Sequence, residues 1–346
     1  MPTRKKISPA WAVFGTIFGI IVFIAGAAFI WPQWFGLQRE FLISQAISFR
    51  LVMLICIAAA LLVVLLLLLI SRRIRALLAV TAIALSMLLV GGGVNYLSRG
   101  ITESTPATGA AEAIRVLSWN TLGNEPGSPT IAQLAIDYDA DVVMLPETTE
   151  DMGIEIAGLM SEAGKPMWVL SNTGAPGYRA AETTLLISAE LGEYQLNTSL
   201  GDTSALATVI AEPVDGEGPR FVAAHPIAPT REYMEQWRSD LDWLATICDG
   251  NTIMAGDLNA TLDHLAGLEN SEVDGAVFGS CTDAAQDLGS AQVGTWTSGR
   301  PPLLVPAIDH VMSTSQWETT GFEVIQREDR SGSDHRPVFA ELTPTS

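Results

Sequence analysis

The chain has 346 residues and a formal net charge of −19. Residues 1–100 carry nine Lys or Arg against one acid, a balance of +8, whereas residues 101–346 carry ten against 37, a balance of −27. Two segments so different do not share one solvent environment. The acidic part, with Lys165 as its single lysine, argues against a general binder of nucleic acid, which neutralises phosphates with Lys and Arg.

The N-terminal third reads as membrane. Ala10–Trp31, Leu51–Ile70 and Ala76–Leu97 are each about 20 uncharged, mostly apolar residues, the length that crosses a hydrocarbon core of ~30 Å as a helix. A cleaved signal peptide is the alternative for the first, but the stretch is too long and two more follow. Basic residues flank the cytoplasmic ends of spans. The "TRKK" before span one and the "SRRIR" between spans two and three therefore place the N-terminus in the cytoplasm and everything after about residue 98 outside. Trp31, Trp34 and Tyr96 fit interfacial anchors. This organisation predicts a membrane anchor over residues 1–98, a small, polar, Pro/Gly-containing linker over 99–112, and one globular domain over 113–346.

Within that domain, strand-like runs occupy 114–120, 141–147, 183–188, 205–213, 220–225, 251–257, 307–313 and 336–342. Helical periodicity appears over 129–138 and 230–248, the latter with Tyr233, Trp237, Leu241, Leu244 and Ile247 in one stripe. Several runs are apolar throughout, as in strands buried on both faces. The fold class is α/β, layered sheets flanked by helices. Cys248 and Cys281 lie in the part read as external, where a disulfide persists; a bridge and two buried thiols are equally open. Cys56, inside span two, reads as a small apolar residue.

The strands finish in polar groups. "VLSWN" ends in Asn120, "VVMLPE" in Glu147 and "FVAAH" in His225, while "TIMAGDLN" delivers Asp257 and Asn259. "AIDH" presents Asp309, and Asp334-His335 precede the last strand. Any one of these has an ordinary reading as a cap or a turn residue, but six elements ending this way at the edges of apolar sheets do not, because charged groups there are costly unless paired or metal-bound. Carboxylates and carboxamides are hard oxygen donors suited to Mg2+ or Mn2+, and a His backed by an Asp supplies proton transfer. His310 should point to the opposite face from Asp309, and His264 reads as part of an exposed helix.

In this order, "LSWNTLG", "DADVVMLPET", "AAHPIAP", "MAGDLNAT", "IDHVMST" and "GSDHRPVFAEL" resemble the endonuclease/exonuclease/phosphatase superfamily, the fold of deoxyribonuclease I. The resemblance covers residues 113–343 and implies a four-layer sandwich of two mixed β-sheets between helices. It assigns Glu147 as the main metal ligand with Asn120 beside it, and Asp334 as a further metal or water contact. Asp257 would orient or deprotonate the attacking water, Asn259 would hold the scissile phosphate, and His335, polarised by Asp309, would be the catalytic imidazole. His225 resembles the second histidine of the deoxyribonuclease branch, with Glu182 as its carboxylate partner. Some members carry an acid two residues after the strand-end Asn; here Leu122 stands there, which leaves the number of ions open.

The membrane-anchored layout also resembles actinobacterial membrane proteins of this superfamily linked to teicoplanin resistance, thought to act on phosphorylated lipid carriers. The expectation is therefore a metal-dependent phosphatase or phosphodiesterase, facing outward at the cell membrane and acting on a lipid-linked phosphate ester. The alternatives are a surface-tethered extracellular nuclease and a non-catalytic membrane-anchored binding module. The stretches "PGYRAAE" and "GRPPLLVP" read either as ordinary surface loops or as an entry loop that touches lipid.

Overall fold

The computed structural model describes residues 9–177 and 180–345. The "TRKK" before the first span, and Tyr178 and Arg179 of "PGYRAAE", lie outside them. The chain divides into two compact units, Met1–Ser98 and Arg99–Ser346.

The first unit holds α1 (Pro9–Ile30), α2 (Phe41–Ser48), α3 (Arg50–Leu68) and α4 (Arg72–Ser98). The helices α1, α3 and α4 are long and apolar enough to cross a membrane. Between apolar helices in lipid, close approach replaces the hydrophobic drive, and small residues permit it. Gly15 and Gly19, one turn apart on α1, meet the backbone of α4: a Cβ on Gly15 would lie 2.4 Å from the Leu77 carbonyl oxygen. Trp31 stacks on Trp34, ring centroids 5.0 Å apart. Tyr96, expected as an interfacial anchor, is instead buried with Ile30, Leu54 and Leu88.

The second unit begins with β1 (Ser104–Thr105), β2 (Ile114–Ser118), α5 (Ser128–Asp137), β3 (Val142–Pro146), α6 (Glu150–Glu162), β4 (Met167–Thr173) and β5 (Glu182–Ser188). It continues with β6 (Tyr194–Leu196), β7 (Val209–Pro213), β8 (Arg220–Ala224), α7 (Met234–Ile247), β9 (Thr252–Asp257) and α8 (Leu262–Leu265). The last elements are β10 (Cys281–Asp283), α9 (Ala284–Asp287), β11 (Asp309–Thr314), β12 (Trp317–Val324) and β13 (Val338–Pro344). A seven-stranded sheet runs β1-β12-β13-β2-β3-β5-β4, and a six-stranded sheet runs β10-β11-β9-β8-β7-β6. The pairs β2–β3 and β8–β9 are parallel and the other pairs antiparallel, so both sheets are mixed.

Side-chain alternation decides which residues face which layer. Val116, Val142, Met144 and Leu185 of the larger sheet join Val209, Phe221, Ile253 and Val311 of the smaller in one core between the sheets. Their chain neighbours Leu117, Val143, Leu145 and Leu186 face outward and are covered by Ile131 and Leu134 of α5 and Ile156 and Met160 of α6. On α7, Trp237, Leu241 and Leu244 of the expected stripe are fully buried. Two mixed sheets flanked by helices are the expected architecture.

Several elements escaped the sequence. The helix α6 starts at the Thr149 cap, whose hydroxyl accepts the Met152 N–H at 3.3 Å, with Glu150 and Asp151 in its first turn where the helix dipole favours acids. The strand β12 hides its period because its pairing with β13 shifts register between Thr319 and Gly321. The run from residue 205 becomes a strand only at Val209. Cys248 and Cys281 are disulfide-bonded, Cα atoms 5.9 Å apart, which ties the end of α7 to β10. His264 is buried rather than exposed: its Nδ1 accepts the Thr261 N–H at 2.8 Å in a capping box, and its ring meets Trp237 edge-on.

The stretch expected as a linker is docked. β1 adds an edge strand beside β12, and the buried carboxylate of Glu341 on β13 accepts the N–H groups of Thr108 and Gly109 and the hydroxyls of Thr108 and Thr320. Burial opposes the charge, yet these hydrogen bonds outweigh it and hold the Glu341 carboxyl below its ordinary range. A lowered folded value means the stabilisation is present above the unfolded value of ~4.3 and is lost as pH falls through the lowered one. Glu341→Gln is expected to cost roughly 1–3 kcal/mol at neutral pH. Thermal unfolding of wild type and variant should converge as the pH is lowered below that range; a gap that stays constant with pH would exclude the ionised carboxylate as its source.

Candidate active site

Each sheet has one central parallel pair, and a parallel pair delivers both C-terminal ends to one edge. β2 leads into Asn120, β3 into Glu147, β8 into His225 and β9 ends at Asp257. The antiparallel neighbours bring their N-terminal ends to the same edge. β11 begins at Asp309 directly opposite Asp257, and β13, whose Val338 faces Ser118 of β2, follows Asp334 and His335.

His335 Nδ1 lies 2.9 and 3.1 Å from the two carboxylate oxygens of Asp309. That contact leaves Nε2 pointing at Asp257, 3.7 Å from Oδ2. The Asn120 amide donates from Nδ2 to Glu147 Oε1 at 3.0 Å and to Asp257 Oδ2 at 3.1 Å, while its own oxygen accepts the Leu122 N–H. Asn259 donates its N–H to Asp257 Oδ1 at 2.8 Å and its side-chain amide to the Pro226 carbonyl at 3.0 Å. Glu147, Asn259 and Leu122 all sit at positive φ, 58°, 48° and 51°, backbone that non-glycine residues rarely adopt and that concentrates at functional sites.

Burial governs the electrostatics. It pushes Asp257 well above the usual carboxylate range, helped by the charge of Asp309 and opposed by His335 and the hydrogen bonds from Asn259 and Asn120. It raises Glu147 in the same way, against the hydrogen bond from Asn120. Burial alone would lower His335, but the charges of Asp309 and Asp257 outweigh it and raise that imidazole. His225 is pushed down to about 3 by burial and the charge of His335, so it is neutral at pH 7.

Ligand-capable atoms of Asp257, Asp309 and His335 lie within 4.8 Å of one another. Both Asp309 oxygens already face His335 Nδ1, so the oxygens better placed for a cation are those of Asp257 and Glu147. The residues fit a divalent ion: the donors are oxygens, burial leaves two of their carboxylates short of charge compensation, and Asp334 Oδ1 is buried with no hydrogen-bond partner among the described residues. A cleft of about 940 Å³ opens beside Glu147 and is lined by Leu122, Glu125, Thr149, Gly174 and Glu182 among others.

The sequence profile described as "Endonuclease/Exonuclease/phosphatase family" matches residues 117–335, well over half of the chain. The chain belongs to this family. Members of the endonuclease/exonuclease/phosphatase superfamily are divalent-metal-dependent hydrolases of phosphate esters. No curated protein sequence matches the chain. Among solved structures, a humanised Danio rerio TDP2 carrying 14 mutations is 16% identical, with a TM-score of 0.51 over 67% of this chain and 100% of that one. An endonuclease/exonuclease/phosphatase from Beutenbergia cavernae is 18% identical, with a TM-score of 0.51 over 68% of this chain and 72% of that one. At these identities the likeness is one of fold.

Eight of the nine residues singled out in the sequence converge at this family's strand edge. Glu182 takes a different place: it opens β5, paired with Thr173, and lines the cleft. Among the described residues His225 Nδ1 has no hydrogen-bond partner, and the carboxylate nearest to His225 is Glu147, 3.8 Å from Nε2. The partnership expected between Glu182 and His225 is therefore absent from this structure.

Further residues, not singled out in the sequence, hold the site together. Trp296 Nε1 donates to Asp334 Oδ2 at 2.9 Å, and Thr295 Oγ1 accepts the N–H groups of Ile308 and Asp309. Ser333 Oγ donates to the Asn120 carbonyl and accepts the His335 N–H, and Trp119 Nε1 donates to the His335 carbonyl. Ser333 stood inside the quoted Ser-Asp-His motif; Thr295 and Trp296 lie in an irregular loop that no periodicity marks.

Proposed function

We propose that this protein is a membrane-anchored phosphoesterase that uses Mg2+ or Mn2+ to hydrolyse a lipid-linked phosphate ester, with its catalytic unit outside the cell membrane. The single observation that carries the hydrolytic reading is the His335–Asp309 pair set 3.7 Å from Asp257, which Asn120 links to Glu147. Glu147, Asp257 and Asp334 would hold a divalent cation, which would supply charge stabilisation to the phosphate oxygens. Asn120 fixes the Glu147 and Asp257 carboxylates through its amide nitrogen, which is the part it plays in the metal site. Asp257 orients the attacking water and accepts its proton. Asn259, held from Pro226, faces the phosphate. His335, oriented by Asp309, contacts the phosphate and stabilises developing negative charge. His225, neutral and buried, stands ready to donate a hydrogen bond to the phosphate or the leaving oxygen.

Four features support the substrate and the location. The unit beyond the anchor carries −27 with one lysine, which disfavours a polyanion. The basic flanks of the spans favour an outside location for residues after about 98, and the Cys248–Cys281 bridge suits an oxidising compartment. A catalytic unit anchored immediately after a span meets substrates in the adjacent leaflet without long diffusion.

The test uses the full chain in detergent micelles with Mg2+, offered phosphorylated polyprenols and phospholipids in one arm and plasmid DNA in the other. Release of phosphate or a phosphorylated headgroup is expected, lost with EDTA and restored by Mg2+ or Mn2+, with the plasmid intact. Nicked plasmid beside unchanged lipid would replace this reading with that of a surface nuclease. Inertness in every arm with metal present would favour the binding module.

A further inference from the structure

The strand β11 carries two His–Asp contacts on opposite faces. Asp309 serves His335 on the site face. His310, the next residue, is buried on the other face, where its Nδ1 lies 2.7 Å from Asp283 Oδ2 and its Nε2 lies 2.9 Å from the Ala260 carbonyl oxygen. A carbonyl oxygen only accepts, so Nε2 carries the proton and donates.

Ala260 directly follows Asn259, in a turn of irregular backbone. Gly256 sits at φ 149° and Asn259 at φ 48°. Strand pairing ends at Asp257, opposite Asp309, so beyond it the turn depends on individual hydrogen bonds. Leu258 N–H reaches the Ile308 carbonyl at 2.9 Å, the Asn259 side chain reaches Pro226, and Ala260 is tied by His310. The residue opposite His310 on β9 is Gly256, which puts no side chain beside the imidazole. Asp283 is itself immobilised: it belongs to β10, and its Oδ1 accepts the Gln286 N–H at 2.8 Å as the cap of α9. A rigid acid therefore aims the imidazole, and the imidazole holds the far side of the turn.

We propose that His310, held by Asp283, is a positioning residue that fixes the turn carrying Asp257 and Asn259. This rests on the assignment of those two residues to the reaction. The left-handed backbone of Asn259 is what turns its N–H onto Asp257 Oδ1, and that N–H sets which carboxylate oxygen faces His335 and the water. Without the bond to Ala260 the turn relaxes and the Asp257 carboxylate loses its orientation, while the Asn259 side chain stays tied to the Pro226 carbonyl. The loss falls on turnover rather than on binding.

The test follows hydrolysis of bis(p-nitrophenyl) phosphate by the full chain in detergent with Mg2+. His310→Met keeps approximate volume and removes both donors; His310→Gln keeps an amide donor within reach of Ala260. The Met variant is expected to lose kcat on the order of 10²-fold, the scale that misplacement of a reacting group produces, with KM unchanged, and the Gln variant to recover most of it. Asp283→Asn, which keeps the acceptor oxygen and removes the charge, is expected to lose kcat several-fold and serves as the readout if the Met variant does not fold. Wild-type kcat in a folded Met variant, or in Asp283→Asn where Met does not fold, would overturn the proposal. So would equal kcat losses in the Met and Gln variants that track their unfolding midpoints. Asp257→Ala is run alongside: activity in that variant would instead strike at the site assignment itself, whereas an inactive Asp257→Ala beside a fully active Met variant removes only the positioning role.

Discussion

Replacing His335 with Ala is expected to lower phosphoesterase turnover by roughly 10²–10⁴-fold, the range over which a positioned acid–base group acts. Asp257→Ala is expected to lose at least as much, because it removes the group that faces His335 Nε2 and is proposed to accept the proton of the attacking water. A single His335→Ala variant carries a complication, since it strands the Asp309 carboxylate, 3% exposed, without its partner. The double variant His335→Ala/Asp309→Asn resolves it. Residues that act as one unit are strongly non-additive, so Asp309→Asn should slow the wild-type enzyme greatly and the His335→Ala enzyme hardly at all. Steady-state rates for the four members of that cycle, each with its unfolding midpoint, decide the matter. Fully additive losses would mean that Asp309 and His335 work separately.

The second large effect is on stability. Arg336, adjacent to the proposed catalytic imidazole, is fully buried. Its guanidinium makes two hydrogen bonds to Asp329, at 2.6 and 2.8 Å, and reaches the carbonyls of Gly294 and Arg300 at 2.9 and 2.6 Å. Breaking a buried pair by removing one partner costs about 3–5 kcal/mol; Asp329 keeps partial contact with water, its side chain 23% exposed, which favours the lower end. Arg336→Met is therefore expected to cost about 3 kcal/mol, or roughly 6–12 °C in the unfolding midpoint of a unit this size. Arg336→Lys should rescue little of it, because a point charge does not reproduce a planar fork that reaches three partners at once. The carbonyls it holds belong to the loop that brings Thr295 to Asp309 and Trp296 to Asp334, so turnover should fall together with stability. An unfolding midpoint within about 2 °C of wild type, less than ~1 kcal/mol at this size, would show that water replaces the guanidinium at little cost.

Much of the molecule was legible in one dimension because the signals are local. Uncharged runs near 20 residues mark helices that lipid requires to satisfy their own backbones. Apolar runs ending in Asn120, Glu147, His225 and Asp257 mark strands that finish in polar groups, whatever the sheet order. The order of the motifs named the family, and chain order survives folding. Helices and strands missing from that reading had their period broken or diluted: β12 by its register shift, α6 by a mixed composition behind a single Thr cap.

Tertiary structure alone decided the rest, since distance along the chain carries no information about distance in space once a sheet reorders its strands. Two parallel pairs, one per sheet, bring Asn120 and Asp257 into hydrogen-bond contact across 137 residues, and no spacing encodes that. Burial separated residues that look alike in the sequence. His335 and His310 each face a carboxylate, His225 has none in hydrogen-bond contact, and His264 caps a helix, because the dielectric and the partners around a ring are set by what folds over it. The same holds for Arg336 and Glu341, charged residues inside the last quoted motif, whose partners arrive from segments that only the packed sheets bring near.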